Sequence, residues 1–373
     1  MSLQGREIRI IGAGIAGLTA AIALAQRGAR VTVQERAPEL GEVGAGLQLS
    51  PNAMRVLQAL GLGQRIRADS LPIQAVRLRD LSGAEVVRIP MADGGADKPF
   101  RMMHRARLIE VLAGAARQAG ARIELAQDVT ELPQVPLLIG ADGLRSRVRV
   151  ALNGREVPFF TGQTAWRALI DSHDDLPETQ IFMGPGRHLV TYPLAGGLRN
   201  FVAVLERYDW QEEGWSYPDD PANLRAAFAG FGEPVTGWLE KVTQTNVWGL
   251  FRHEVARNWQ DGQRVLIGDA AHATLPFMAQ GACMGIEDAW ILADCLSAEP
   301  DQSRALKRYE ELRKPRCSRI VQAANDNARN YHLTGARRLL GHSALRLAGR
   351  LAPGRLLSRF DWIYSYDPTR VVS

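Results

Sequence analysis

Two hydrophobic periods alternate along the first 60 residues. Residues 6–11 (REIRII) form a short Ile-rich run, and residues 30–35 (RVTVQE) alternate apolar and polar, so both read as strands. Between them, LTAAIALAQRG puts Ala and Leu at helical spacing and stops at Gly28. A glycine-rich stretch from Gly41 then leads into a helix at Pro51. Residues 76–90 predict a hairpin turning at Ser82-Gly83, and residues 105–118 an amphipathic helix with Leu108, Val111, Leu112 and Ala115 on one face. Buried strands run into Asp142-Gly143 and into Gly268-Asp269, each followed by a helix. From about 156 to 254, the runs TAWRALI, RHLVTYPL and NFVAVLE have strand-like composition.

The first strand–helix–strand unit carries specific chemistry. Gly12, Gly14 and Gly17 stand as G-A-G-I-A-G between strand and helix. The first glycine permits the tight turn, the second lets a pyrophosphate approach the backbone, and the third lets the helix pack close to its strand. The helix N-terminus offers free N–H groups and partial positive charge to phosphates. Glu35, at the end of the second strand, can accept hydrogen bonds from ribose hydroxyls and would repel a 2′-phosphate, so FAD or NAD fits better than NADP.

Composition changes the picture in three places. The 373 residues suggest two domains, and 46% hydrophobic with 23% charged residues is ordinary for a globular chain. No basic-then-apolar leader opens the chain and no run of 18 apolar residues occurs, so neither a signal peptide nor a transmembrane helix is expected, and the expected compartment is the cytoplasm. Cys283, Cys295 and Cys317 form no CxxC pair, which rules out a zinc knuckle, weakens any disulfide framework and counts against a dithiol flavoprotein reductase, so three plain reduced thiols are expected. Residues 304–373 hold 15 Lys/Arg against 5 Asp/Glu, so the chain's net +5 leaves the remainder at −5. Because Leu, Ile, Trp and Tyr punctuate this tail, it reads as helices whose Arg stems cover apolar surface rather than as a nucleic-acid arm.

Three separated motifs, GAGIAG with Glu35, D-G-x-x-S-x-x-R at Asp142, Gly143, Ser146 and Arg149, and Gly268-Asp269, together resemble the single-component FAD-dependent aromatic hydroxylases. The final stretch FDWIYSYD resembles the ending of the salicylate and hydroxybenzoate hydroxylase branch. The resemblance spans nearly the whole chain. It implies an α/β fold: a Rossmann-type FAD-binding domain, an inserted substrate domain on a mostly antiparallel β-sheet, and a C-terminal helical segment. The expected boundaries are 1–75, 100–155 and 255–330 for the FAD domain, 76–99 and 156–254 for the substrate domain, and 331–373 for the tail.

By the same resemblance, Asp269 bonds the FAD ribityl chain, Pro276 lies beside the isoalloxazine, and the helix starting near Gly281 and Ala282 aims its N-terminus at the flavin pyrimidine edge, where reduced flavin is negative. Arg107 approaches FAD from its helix, Val129 lies near the adenine, Arg36 follows Glu35 at the nucleotide, and Asp142 serves both flavin and nicotinamide. Two departures stand out. Ala279 replaces a glycine common in such enzymes, and the stretch from Arg122 to Asp142 lacks their usual hairpin.

His188 and Tyr192 are four apart on one expected strand, hence on one face. A His beside Arg187 would by itself read as a solvated strand residue, but the resemblance puts both in the substrate site. His188 is the candidate to take the substrate's phenolic proton. Gln48, Phe277, Met278 and Gln280 are further pocket candidates, although Phe277 and Met278 could equally be core. Arg167 or another arginine is a candidate for a substrate carboxylate, and His272 is read as structural. The implied reaction is hydroxylation of a salicylate- or hydroxybenzoate-like ring by O2 through a C4a-hydroperoxyflavin. NADH or NADPH is the transient donor, with no second Rossmann domain to hold it. The alternatives are an FAD monooxygenase or epoxidase on a nonaromatic or N-heterocyclic compound, and a non-catalytic FAD-binding protein. No metal and no nucleic acid are expected, and a homodimer is one option for assembly.

Overall fold

The computed structural model describes residues 3–41, 46–91, 100–173, 176–209 and 217–372. Part of the glycine-rich stretch after Gly41, and residues 92–99 of the first expected insert, lie outside the described residues.

Five short strands form an all-parallel sheet in the spatial order Arg264–Leu266, Leu138–Gly140, Glu7–Ile11, Arg30–Gln34, Arg122–Glu124. The strand Leu138–Gly140 is buried throughout, whereas Glu7–Ile11 and Arg30–Gln34 bury largely alternate residues. The helices Ile15–Ala25 and Gly281–Ala298 are buried along most of their length and share one hydrophobic core with this sheet. Residues 125–137 contain no strand, as the shortened Arg122–Asp142 stretch leads one to expect.

Eight strands form a second sheet: Tyr217–Asp219, Thr245–Arg252, Phe159–Asp171, Leu198–Glu206, Arg187–Leu194, Glu178–Gly184, Ala75–Asp80 and Glu85–Pro90, in that spatial order. Every pairing is antiparallel except Glu178–Gly184 with Ala75–Asp80. The hairpin of the last two strands turns through Gly83 at φ +87°. A small three-stranded sheet, Gly46–Leu49, Phe100–His104 and Ser70–Ile73, bridges the two larger ones.

The tail is helical: Gln302–Tyr331, Gly335–Leu351, Pro353–Ser358 and Asp361–Tyr364. Arg316 and Arg319 stack on Tyr366 and Trp362, each 3.8 Å from the ring centroid, and Arg55 donates to the carbonyls of Tyr364 and Tyr366. Part of the tail's positive charge is internal. Arg313 is fully buried between Glu287 (2.6 Å) and Asp288 (2.7 Å). Burial alone would raise Asp288, but His272 and Arg313 outweigh it and hold the carboxyl at about 2. Asp288 Oδ2 accepts from the Gly268 N–H (2.9 Å) and lies 2.6 Å from His272 Nε2. His272, Asp288 and Cys317 offer three ligand types within 4.8 Å, yet the Arg313 guanidinium already supplies a cation there. His272 is therefore part of the frame under the Gly268-Asp269 turn.

Breaking that frame should be costly. Asp288→Ala strands Arg313 without one of its counter-charges and should lower stability by about 3–5 kcal/mol, read as a shift in the urea midpoint. A change within about 0.5 kcal/mol, the size of an ordinary surface substitution, would contradict the account.

Candidate functional site

The three sequence motifs follow three adjacent parallel strands. Glu7–Ile11 feeds Gly12, Leu138–Gly140 feeds Asp142, and Arg264–Leu266 feeds Gly268-Asp269. The ladder continues into the turns: Ala141 N–H donates to the Ile11 carbonyl (2.8 Å) and Ile267 N–H to the Gly140 carbonyl (3.0 Å). The turns are therefore stacked side by side at the carboxyl ends of the strands, where open α/β sheets bind ligands. Gly12 (φ +100°) must be glycine, because a Cβ there would collide with the Ala141 carbonyl. A Cβ at Gly14 would instead meet nothing within 4 Å, so that backbone opens onto free space.

That space is a cavity of about 1310 Å³, above the roughly 300–1,000 Å³ of an ordinary small-molecule site. Gly12, Gly14, Glu35, Arg36, Val129, Asp142, Asp269, Pro276, Gly281 and Ala282 all line it. Glu35 accepts the N–H groups of Ala13 (2.8 Å) and Ala37 (3.0 Å), which fixes its carboxylate at the cavity edge with lone pairs to spare. Asp142 Oδ2 accepts from Arg147 N–H (2.8 Å), whereas its Oδ1 is buried with no partner. Burial raises the carboxyls of both Asp142 and Asp269 above their ordinary value. Two helix N-termini, those of Ile15–Ala25 and Gly281–Ala298, open on the cavity, and neither has an acidic residue in its first turn.

The far wall is the eight-stranded sheet, and its register decides which side chains face inward. His188, Val190 and Tyr192 alternate onto one face. The row Trp248–Ala165–Val204–His188 crosses four strands, and the row Arg167–Val202–Val190 crosses three. Arg167 thus lies two strand spacings, about 10 Å, from the strand carrying His188 and Tyr192, on the same face. Its guanidinium sits 4.3 Å from the Trp248 ring centroid. His188 is fully buried, with Nδ1 2.7 Å from His332 Nε2 and with Nε2 lacking any partner. Burial, and then His332, hold its pKa well below the usual value, so the ring is neutral at pH 7. Burial pushes the Tyr192 phenol up, and Arg167 opposes that shift. Gln48, Phe277 and Met278 also line the cavity, and the Phe277 ring packs 5.1 Å from that of His188.

A family model described as an FAD binding domain matches residues 6–136 and 134–324. A 3-amino-4-hydroxybenzoate 2-monooxygenase of Streptomyces platensis is 34% identical, covering 100% of this chain and 99% of its own. The chain belongs to the single-component FAD-dependent aromatic hydroxylases. A 3-hydroxybenzoate 6-hydroxylase of Polaromonas naphthalenivorans is 32% identical over 96% of each chain. A solved salicylate hydroxylase substrate complex shares the fold at TM-score 0.81, with 24% identity over 100% of this chain and 99% of its own.

The residues present fit the FAD of this monooxygenase. The orphaned Asp142 Oδ1 wants a polar partner that the chain itself does not supply, and the open space over Gly14 leaves room for a ligand to approach the backbone. The expected residues do not all meet there, however. Arg107 lies outside the cavity, paired with Asp69 (3.1 Å) and Glu110 on the exposed side of its helix. Arg105, at the helix start, lines the cavity instead and acts on Asp269. Gln280 also turns away: it is buried, donating to Ser50 Oγ (2.9 Å) and accepting from Asn52 (3.1 Å) beneath the cavity floor. Gly17 does not line the cavity either; a Cβ there would strike the Gly12 carbonyl, so its part is close packing. Ala279 takes a left-handed φ of +51°, the conformation that explains glycine at this place in similar enzymes, at a cost of about 1–2 kcal/mol. Arg105, His332, Glu206 and Trp248 escaped the sequence reading. Arg105 was within reach of it, since residues two apart on a helix face opposite ways.

The two arginines give a direct contrast. Arg105→Ala should weaken FAD binding by about tenfold or more, the loss expected of a hydrogen bond to a charged group. Arg107→Ala, which removes an exposed ion pair, should change FAD affinity by less than about fivefold. Flavin-fluorescence titration of the two apoproteins reads both, and the opposite ranking would overturn the assignment.

Proposed function

We propose that this monooxygenase hydroxylates a phenolic aromatic acid, consuming NADH or NADPH and one O2 per turnover. The observation that carries the reading is His188: a buried, neutral imidazole among the residues lining the cavity, whose Nε2 has no partner in the chain. Arg167 shares its sheet face two strands away, and both residues line the cavity. Held between them, a substrate would offer its carboxylate to Arg167 and its hydroxyl to His188. Bound FAD supplies the redox chemistry, drawing electrons from NAD(P)H and activating O2.

The chain's own residues have the other tasks. Gly12, Gly14, Glu35, Arg36 and Val129 hold the nucleotide half of FAD. Asp142, Asp269 and Arg105 hold its middle, and the N-terminus of Gly281–Ala298 favours negative charge at the flavin. Pro276, Phe277, Met278 and Gln48 exclude water from the reacting edge. His188 Nε2 takes the phenolic proton, because the resulting phenolate is the stronger nucleophile. Tyr192, kept as a neutral phenol by burial, donates a hydrogen bond and orients the ring. No helix among the described residues is long and apolar enough to cross a membrane. The three buried, unpaired cysteines fit a reducing, cytoplasmic setting.

The test is oxidation of NADH and NADPH by the purified enzyme with salicylate, 3-hydroxybenzoate, 3-amino-4-hydroxybenzoate and 6-hydroxynicotinate. Hydroxylated product formed in proportion to NAD(P)H from one of the benzoates is expected. Product from the nicotinate alone would favour the N-heterocyclic reading, and peroxide alone from every compound would refute hydroxylation. His188→Gln should keep its FAD content but convert most NAD(P)H oxidation to peroxide; a variant that hydroxylates like wild type would remove His188 from the mechanism.

A further inference from the structure

The partners of His188 continue beyond His332. His332 stands just after the helix Gln302–Tyr331, with its side chain 3% exposed, and its Nδ1 lies 2.7 Å from Glu206 Oε1. Glu206 ends the strand Leu198–Glu206 and its side chain is 36% exposed. Four ring nitrogens and one carboxylate thus form an unbroken line from the cavity wall to water: His188 Nε2, His188 Nδ1, His332 Nε2, His332 Nδ1, Glu206 Oε1.

We infer that His188, His332 and Glu206 are a proton wire that sets the tautomer of His188 and carries the substrate's proton from the cavity to solvent. This rests on the role of His188 proposed above and adds two residues to it. The tautomers follow from the acceptor at the outer end. An ionised carboxylate accepts only, so His332 Nδ1 must carry the hydrogen. Neutral His332 then presents a lone pair at Nε2, so His188 Nδ1 must donate to it. His188 Nε2, which has no partner in the chain, is left as a bare lone pair in the cavity wall, the state a base requires. Glu206 therefore decides, two rings away, that the cavity holds an acceptor rather than a donor.

The same line moves the proton. As the phenolic O–H gives its proton to His188 Nε2, the Nδ1 proton passes to His332 Nε2 and the His332 Nδ1 proton passes to Glu206, which releases it to water. Each ring gains one proton and loses one, and the substrate oxygen is left as phenolate. No oxidant enters. The charged neighbour acting on His188 is His332, and the one acting on His332 is Glu206. The remaining groups packed on His188 are the Phe277 ring and Tyr331, whose phenol burial pushes up to about 12, so neither competes for the proton. Without such a line the proton would stay as a charged imidazolium in an apolar wall, which burial disfavours.

The holoenzyme and its His332→Gln, Glu206→Gln and His188→Gln variants provide the test. Gln at 332 can hold a hydrogen bond but cannot pass a proton. In the first arm, imidazole ¹⁵N NMR at neutral pH without substrate should place the wild-type His188 hydrogen on Nδ1 and show that preference lost in His332→Gln. A wild-type His188 protonated on Nε2 would overturn the wire. In the second arm, stopped-flow mixing with 3-hydroxybenzoate and a pH indicator should show proton release slowed more than tenfold in His332→Gln and Glu206→Gln, with FAD content unchanged. Added imidazole should restore much of the rate in His332→Ala, a rescue that a purely structural role would not give. Slow release in His188→Gln alone, with both outer variants at the wild-type rate, would overturn the wire while sparing the base. Wild-type release by His188→Gln would overturn both.

Discussion

Three short parallel strands, paired in the order Arg264–Leu266, Leu138–Gly140, Glu7–Ile11, impose the constraint on which the rest of the molecule depends. Their segments are more than 100 residues apart in the chain, yet parallel pairing puts all three carboxyl ends on one edge. The turns that follow must then share an edge about 10 Å wide, two strand spacings. This is why Gly12 packs on the Ala141 carbonyl and why Gly268 lies against Ala16 and Gly285. Small residues at these places are a packing requirement as much as a ligand requirement.

Charge deep in the core secures that arrangement from behind. Asp288 ties the Gly268 turn to Arg313 on the long helix, and buried Arg149 spans from its own helix to the carbonyls of Ala270 and Ala271 (3.2 and 3.4 Å) and of Glu254 (2.8 Å). Arg149 thereby makes the second motif hold the third. The far wall of the cavity is built on a different principle. In the eight-stranded sheet, register alone brings Arg167, His188, Tyr192 and Trp248 onto one face, and the partners that tune His188 come from outside its strand, His332 from the tail and Glu206 from the adjoining strand. A stiff nucleotide frame thus meets a wall whose chemistry is set by side-chain networks.

The frame was legible in the sequence because its signals are local. GAGIAG with Glu35, and the paired strand–Asp turns at 142 and 269, each declare themselves within a few residues, and the hairpin at Ser82-Gly83 does the same. What was not legible depends on orientation or on distance along the chain. Spacing puts Arg105 and Arg107 on opposite sides of one helix, but only tertiary packing chooses which side meets the cavity. Gln280 sits in the right turn, yet Ser50 and Asn52 draw its amide inward. His332 is 144 residues from His188 and 126 from Glu206, in a tail whose visible signal was excess positive charge, so no local pattern joined the three.

The central claim is that the three stacked turns enclose one flavin nucleotide. Titration of the purified apoprotein with FAD, followed by flavin absorbance and fluorescence, measures it most directly. The account predicts saturation at one FAD per chain and loss of that binding in Gly14→Val, whose branched side chain fills the open space over the backbone. A native, folded protein that takes up no FAD, or a Gly14→Val variant that binds it as tightly as wild type, would contradict the account.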